Sequence, residues 1–400
     1  MSARLLLSLQ AFAAVYILYG LTAYPGVPGG DSGELLAEAC LLGTPHPPGY
    51  PLYTMLCAVA RSLLAGLPRL YLDCSEPVWQ LRVDHTPTHA WTINNLCALL
   101  GSAAAALIAV TCYDILCVLG GEGRPRGLSA ASLAGTMLFA LSPLVWEYSI
   151  TAEVFALNNL LCAALCYLTT KVYVSSRVLH DADSTSRHLY LGALVSGMCM
   201  ANQHSSLLLL TVLVPCALFF AYPHSARPTT LAAAALSFLV GMSPYAYLVA
   251  AARNPRPGSW GDASSLRGLL RHVLREEYGT FQLGTRAGSE GFAQRVVLYL
   301  QHASQETYHL VFPLAAAGLL CSLAAWQGET AARSPGRRQQ RGLPRGAKAA
   351  AKEEPPAAGK GGAALALAAA WLFYTLVWHG VLSNLPLDSP MPYGVHARFW

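Results

Sequence analysis

Gly29-Gly30-Asp31-Ser32-Gly33-Glu34-Leu35-Leu36-Ala37-Glu38 is followed closely by His46-Pro47-Pro48-Gly49-Tyr50-Pro51. The stretch lies between two apolar runs, the first from about Leu5 to Tyr24, which is long enough to span a bilayer. It therefore reads as the first loop a membrane protein shows to one side. Asp31, Glu34 and Glu38 are spaced three and four apart, which places them on one face of a helix. Carboxylates held at a membrane boundary are costly and mark a functional site. Asp31-x-x-Glu34 also has the form of a capping box, with Asp31 as N-cap and Gly43 closing the helix. The two readings are compatible, because a capped helix still presents a carboxylate.

Composition supports this class. Hydrophobic residues make up 54% of the 400 and charged residues 12%, about half the charge of a soluble domain. The net charge of +5 lies in short loops, a membrane-protein pattern that gives no reason to expect nucleic acid as a partner. The 11 cysteines are scattered, many inside apolar runs, without metal-ligand spacing. His46, His85, His89 and His204 are likewise too dispersed for a metal site.

From the N-terminus, spans are expected at about Leu5–Tyr24, Pro51–Leu67, Trp91–Leu119 and Leu128–Val145. A fifth ends near Val174. Asp73–His89 and Ser175–His188 read as polar loops. The run Leu189–Tyr222 is too long for one crossing and is interrupted by Asn202-Gln203-His204, so two helices are expected to meet there. Another span covers about Thr229–Ala252. In the polar stretch Arg253–Gln301, Leu266, Leu269, Leu270, Val273 and Leu274 recur at helical spacing, which predicts an amphipathic interfacial helix. Further spans are expected at about Tyr308–Trp326 and Ala363–Leu382, with a disordered basic linker over 327–362 between them. Simple alternation puts the Arg124/Arg126 turn on the same side as Asp31, against the positive-inside rule, and Glu153 on the opposite side. Both conflicts disappear if an early segment such as Pro51–Leu67 does not cross fully.

Several motifs stand in order along the chain. They are Gly-Gly-Asp-Ser-Gly-Glu-Leu from Gly29, His-Pro-Pro-Gly-Tyr-Pro-Leu from His46, and Ala152-Glu153-Val154-Phe155 with Leu157-Asn158-Asn159-Leu160. Asn202-Gln203-His204, Trp260-Gly261-Asp262, Arg275-Glu276-Glu277-Tyr278-Gly279-Thr280-Phe281 and Arg398-Phe399-Trp400 follow. With this set the chain resembles the vertebrate endoplasmic-reticulum protein O-mannosyltransferases that modify IPT domains of plexins and related receptors. The resemblance implies an all-α polytopic membrane protein, a GT-C-like multi-helix bundle with an acidic first lumenal loop, multi-pass in the endoplasmic-reticulum membrane. It implies dolichyl phosphate mannose as a lipid-linked co-substrate, no separate cofactor, and inverting transfer to Ser or Thr. Residues 73–89 depart from the family as an insertion. A soluble C-terminal region is not found, so a truncated chain is expected.

Inverting transfer to a hydroxyl requires a base within reach of its proton. Asp31 is the candidate, since partial desolvation raises a carboxylate's basicity. Glu34 would orient Asp31 or bind the acceptor; otherwise it completes the cap. Arg275 and Arg398 are candidates for the donor phosphate, because guanidinium binds phosphate through paired hydrogen bonds; otherwise they contact lipid headgroups or helix ends. Asn202, Gln203 and His204 would form a polar wall by the donor, or a satisfied kink between helices. His46, Glu153 and Trp260 are candidate substrate contacts; otherwise they are a loop histidine, a helix cap and an interfacial turn. Membrane lipids are partners in any of these readings. A transporter, with a midplane site at Asn202–His204, and a non-catalytic scaffold are the competing functions. An enzyme would gather Asp31, Glu153, Arg275 and Arg398 around one cavity.

Overall fold

The computed structural model describes residues 2–64, 66–73, 80–85, 88–120, 125–276 and 291–320, with 323 and 373. Helix α1 (Ala3–Thr22) is capped by the Ser2 hydroxyl. Helices α2 (Ser32–Leu41) and α3 (Pro51–Leu64) follow it. Strands β1 (Arg69–Asp73) and β2 (Gln80–Asp84) pair antiparallel. This corrects the loop expected over Asp73–His89: the alternation Gln80-Leu81-Arg82-Val83-Asp84 makes a strand that the polar composition conceals.

Beyond the hairpin come α4 (His89–Gly120), α5 (Pro125–Ala140) and α6 (Pro143–Ser149). The segments α5 and α6 form one broken apolar path, bent by 72°. Helix α7 (Phe155–Tyr173) runs into a π-turn over Val174–Val178. Helix α8 (Ala182–Asn202) starts earlier than the apolar run does, because Asp181 caps it by accepting from the Ser184 N–H at 3.0 Å. Polar residues of the expected loop 175–188 are therefore helical. Helix α9 (Ser206–Phe220) begins just past the Asn202–His204 break, as the interrupted run predicts. Helices α10 (Pro228–Gly241) and α11 (Tyr245–Ala252) replace one continuous helix. The predicted amphipathic helix is α12 (Leu266–Val273). Within the stretch expected only to be polar, Phe292–Glu306 forms α13. The apolar helix α14 (Val311–Leu320) is the described part of the next expected span. The linker over 327–362 and the span Ala363–Leu382, apart from Phe373, lie outside the described residues.

Among the described residues, four helical stretches are long and apolar enough to cross a membrane: Ala3–Thr22, His89–Val118, Phe155–Val178 and Pro228–Ala252. The bent α5/α6 pair makes a fifth. The chain is a multi-pass membrane protein. Helix α3 is not a span. Its 14 residues rise only about 21 Å at 1.5 Å each, against a hydrocarbon thickness of about 30 Å. Gly66 and Pro68 prevent it from continuing.

Long-range contacts fix the two ends of the bundle. At one end Asp114 of α4 pairs with Arg4 of α1 and Lys171 of α7, each at 2.6 Å. Ser176 donates to the Phe220 carbonyl there, at 3.0 Å. At the other end Tyr24 N–H donates to Ile150 O at 3.2 Å, and Asn202 Nδ2 donates to Val154 O at 3.2 Å. Asp31 and Glu153 lie together at this second end, which we call the acidic end. Helix α4 ends, and α5 begins, at the first. With α3 confined to the acidic end, the conflict over Glu153 is removed; Arg124 lies outside the described residues.

The core beneath the acidic end joins α2, α3, α4 and α7. Leu35, Leu36 and Ala39 pack with Tyr53, Cys57, Ile93, Cys97, Leu157 and Leu161, all buried. Burial of a large apolar side chain stabilises by roughly 1.5–3 kcal/mol, so this cluster holds α2 in place. Helices α8 and α10 touch through Gly197 and Gly241, where a Cβ on either would strike the other's backbone.

Candidate active site

Asp31 occupies the N-cap of α2, but its side chain makes no capping hydrogen bond. The capping box is not formed. Instead, Glu153 reaches across from the α6–α7 connection, and its Oε1 accepts from Asp31 N–H at 3.1 Å and Ser32 Oγ at 3.5 Å. Glu153 is buried, and it caps α2 rather than its own helix α7, whose start carries no side-chain cap. Since Glu153 takes up the Asp31 N–H, Glu34 is left to bind elsewhere.

Glu34 binds the loop that follows. Its Oε1 accepts from His46 N–H at 2.6 Å, and its Oε2 lies 3.0 Å from His46 Nδ1. His46 Nε2 lies 3.0 Å from the Tyr50 hydroxyl. Burial alone would push the Glu34 carboxyl up, but the hydrogen bonds and charge of His46 together hold it below its usual 4.5. Glu38 points away from this pair. It is buried, and Ser259 Oγ donates to its Oε2 at 3.0 Å. Burial, helped by the charge of Glu34, pushes the Glu38 carboxyl above 4.5 against the effect of Ser259. One helical face thus serves two neighbours, because Glu38 lies a further turn along α2. Gly43 lies against Glu38, where a Cβ would collide with its carboxylate and with Ser259. The left-handed residue that ends α2 is Leu42, with φ 56°, and not Gly43.

The His46–Tyr50 loop is itself strained. Tyr50 has φ 39°, a left-handed conformation that costs a residue with a Cβ about 1–3 kcal/mol. Gly49, at φ 93°, faces Leu248 and His272, and a side chain there would strike Leu248. His272 Nε2, buried beneath the loop, lies 3.1 Å from Pro45 O.

The opposite wall comes from distant sequence. Asn202 and Gln203 are buried, and the oxygens Asn202 Oδ1 and Gln203 Oε1 lack hydrogen-bond partners. His204 Nε2 is 2.8 Å from the Tyr245 hydroxyl, which donates to Met200 O at 2.6 Å. His204 is therefore the donor of that pair. Arg275 follows α12 at φ 56°, its N–H donating to His272 O at 3.1 Å. Its charge acts on both Tyr50 and His204. Trp260 N–H donates to Thr44 O at 2.9 Å, and its ring stands edge-on to His46, centroids 6.4 Å apart.

The structure therefore gathers Asp31, Glu34, Glu153 and Arg275 about the His46–Tyr50 loop at the acidic end. His46, His204 and Trp260 complete the surroundings. Arg398 lies outside the described residues. The Asn202–His204 break sits at the acidic end and not at mid-membrane, where a transporter's site would be expected. Tyr50, Ser259 and His272 do not stand out in sequence reasoning. Only Tyr50 carries a signal, since it follows a glycine in a proline-rich loop. Among the described residues no group of three or more His, Cys, Asp or Glu is placed to hold a metal ion.

The fold and this cluster define a class: a multi-pass membrane protein with a charged site at one membrane face. Residues 31–227 match the family model of the protein O-mannosyl-transferase TMEM260 N-terminal domain. The chain is 31% identical to "Protein O-mannosyl-transferase TMEM260" of Mus musculus, over 98% of its own length and 47% of the relative's. It is 29% identical to the Dictyostelium discoideum protein of that name, over 97% and 42% of the two. Its similarity to this family runs over nearly the whole chain, which spans less than half the length of these curated relatives. A solved Saccharomyces cerevisiae protein O-mannosyltransferase Pmt1–Pmt2 complex bound to the sugar donor is also similar. The identity there is 19%, the TM-score is 0.42, and the match covers 62% of this chain and 33% of that one.

Proposed function

We propose that this chain is the membrane-embedded part of an inverting protein O-mannosyltransferase of the GT-C type, in the endoplasmic-reticulum membrane. It takes mannose from dolichyl phosphate mannose and gives it to Ser or Thr of IPT domains in plexins and related receptors. The observation that carries the reading is the gathering of Asp31 and Arg275 at the acidic end, where Glu153 holds the Asp31 backbone and Arg275 follows the His272 that lies beneath the His46–Tyr50 loop. Inverting transfer from a phosphate needs these two charges on either side of the sugar. The names of the relatives support the reaction class.

In this mechanism Asp31 takes the proton of the acceptor hydroxyl. The acceptor oxygen bonds to the anomeric carbon on the face opposite the phosphate. The bond from that carbon to the phosphate oxygen breaks, and the electron pair leaves with dolichyl phosphate. Arg275, with Arg398, stabilises the charge on the leaving phosphate. Glu153 holds Asp31 in place through its backbone. Asn202 and Gln203 present buried amide oxygens that accept from sugar hydroxyls, with His204 beside them. Trp260 and His46 line the way in for the acceptor.

The test is mannose transfer to a purified IPT domain by microsomes carrying the full-length protein, wild type beside Asp31→Asn. A base contributes about 10²–10⁴-fold, and a loss of that size with normal expression is expected. Undiminished transfer by Asp31→Asn removes Asp31 from the role. Absence of transfer by the wild type overturns the reaction itself.

A further inference from the structure

The break between α5 and α6 is closed by residues from far along the chain. Pro143 has no N–H to give there, and the Ser142 hydroxyl does not cap α6. Glu306, the last residue of α13, caps it instead. Its Oε2 accepts from Leu144 N–H at 2.8 Å and from Ser142 Oγ at 2.7 Å. Tyr308, just beyond, donates from its hydroxyl to Leu141 O at 2.9 Å. An acceptor and a donor thus reach both sides of one bend from the end of α13. Backbone groups freed by a bend in an apolar path need such partners, because lipid offers none.

The same cap also aims α6. The helix ends at Ser149, and Glu153 follows in a stiff connection. Thr151 Oγ1 donates to Glu147 O at 3.0 Å, Glu153 N–H donates to Thr151 O at 2.8 Å, and Ala152, Glu153 and Val154 are buried. Two seats hold α6. At its end Ser149 lies against Gly101 of α4, where a Cβ on the glycine would strike the serine. At its start is Glu306. With the start released, α6 pivots about the Ser149 seat, and Thr151–Glu153 turn with it. Glu153 Oε1 accepts the Asp31 N–H at 3.1 Å, so the turn reaches the proposed base. A misplacement of about 1 Å can cost a reaction about a hundredfold.

We propose that Glu306 is a positioning residue: by capping α6 from α13 it sets Glu153, and through Glu153 the backbone of Asp31, for transfer. The inference rests on the functional reading above for the role of Asp31.

The test uses purified full-length protein in detergent, as wild type, Glu306→Ala, Glu306→Gln, Ser142→Ala and Ser176→Ala, at a temperature below every melting transition. Ser176→Ala is the control, since it removes a hydrogen bond to Phe220 O at the opposite end of the bundle. Two quantities are measured: hydrogen exchange of residues 29–36, and the kinetics of mannose transfer from dolichyl phosphate mannose to an IPT domain. Glu306→Ala should speed exchange at the Asp31 amide and lower kcat about ten- to a hundredfold, with KM for donor and acceptor unchanged. Glu306→Gln should restore most of both, because its amide oxygen can accept both hydrogen bonds. Ser142→Ala loses one bond of the two and should fall between; it decides the matter if Glu306→Ala does not fold. Ser176→Ala should match the wild type. Unchanged exchange and kcat in Glu306→Ala and Ser142→Ala overturn the inference. So do a loss confined to KM, an equal loss in Ser176→Ala, or a Glu306→Gln as slow as Glu306→Ala. A wild type that transfers no mannose overturns the functional reading instead, and exchange at residues 29–36 then still decides whether Glu306 holds Asp31.

Discussion

The backbone N–H of Asp31 donates to the carboxylate of Glu153 at 3.1 Å, across 122 residues of chain. The first turn of α2 is therefore capped by a residue from the α6–α7 connection. Replacing a capping side chain with Ala typically costs about 0.5–2 kcal/mol. Glu153→Ala is expected to lower the melting temperature of the detergent-solubilised protein, while Glu153→Gln, which keeps an acceptor oxygen, should lose less. Both should slow transfer, because each alters the mount of Asp31. Equal melting temperatures for all three proteins would show that the cap carries no weight.

Glu34 and Glu38, one turn apart on α2, are expected to respond oppositely to acid. The Glu34 carboxyl is held below 4.5 by His46. Its contribution is complete above about pH 4.5 and is lost as pH falls through the folded-state value. The Glu38 carboxyl is raised by burial, so its ionised form is penalised in the fold, and the penalty grows as pH rises from 4.5 through the folded-state value. Glu34→Gln should therefore flatten the loss of stability below pH 5, while Glu38→Gln should gain stability near neutrality relative to wild type. Thermal unfolding from pH 4 to pH 8 measures both slopes, and slopes of the same sign would refute the assignment.

Asp114 holds three helices together at the end remote from the site. Its side chain is 1% exposed and pairs with Lys171, 15% exposed, and Arg4, 51% exposed. Removing one partner of a buried pair costs about 3–5 kcal/mol, and an exposed one far less. Lys171→Ala should destabilise strongly and Arg4→Ala only slightly, as read by unfolding in mixed micelles. The reverse order would place the weight on the exposed arginine.

Gly43 gives Glu38 and Ser259 the room to meet. Gly43→Ala is expected to push the Ser259 turn away from α2, loosening the already exposed chain near Arg253. Limited trypsin digestion should then cut after Arg253 several times faster than in wild type. An unchanged cleavage rate would mean that the turn is held by Trp260 N–H on Thr44 O alone.

The helices that cross are legible in the sequence because length and hydropathy decide them, as α1, α4 and α7 illustrate. Boundaries set by single side chains are not. Asp181 starts α8 inside a stretch whose polarity reads as loop, and the β-hairpin is hidden because charged and apolar residues alternate within it. The carboxylates of the candidate site are legible because ionisable groups stand out against apolar flanks. Their partners are less so. Glu34 meets His46 only because Pro47, Pro48 and Gly49 turn the chain back, and Glu153 meets Asp31 only because α3 does not cross. Spacing along α2 predicts that Asp31, Glu34 and Glu38 share a face. It does not say that Glu38 would be claimed by Ser259, which is 221 residues away.

The brevity of α3 also bears on how the protein is made. A segment of 14 residues falls below the roughly 20 apolar residues that commit a nascent helix to the bilayer. The insertion machinery would pass over it and thread α4 as the second crossing. Every later helix takes its orientation from that omission. Lengthening α3 by a turn and a half of leucines would deliver Asp31 and Glu153 to opposite compartments during synthesis, and no later folding step could bring them together.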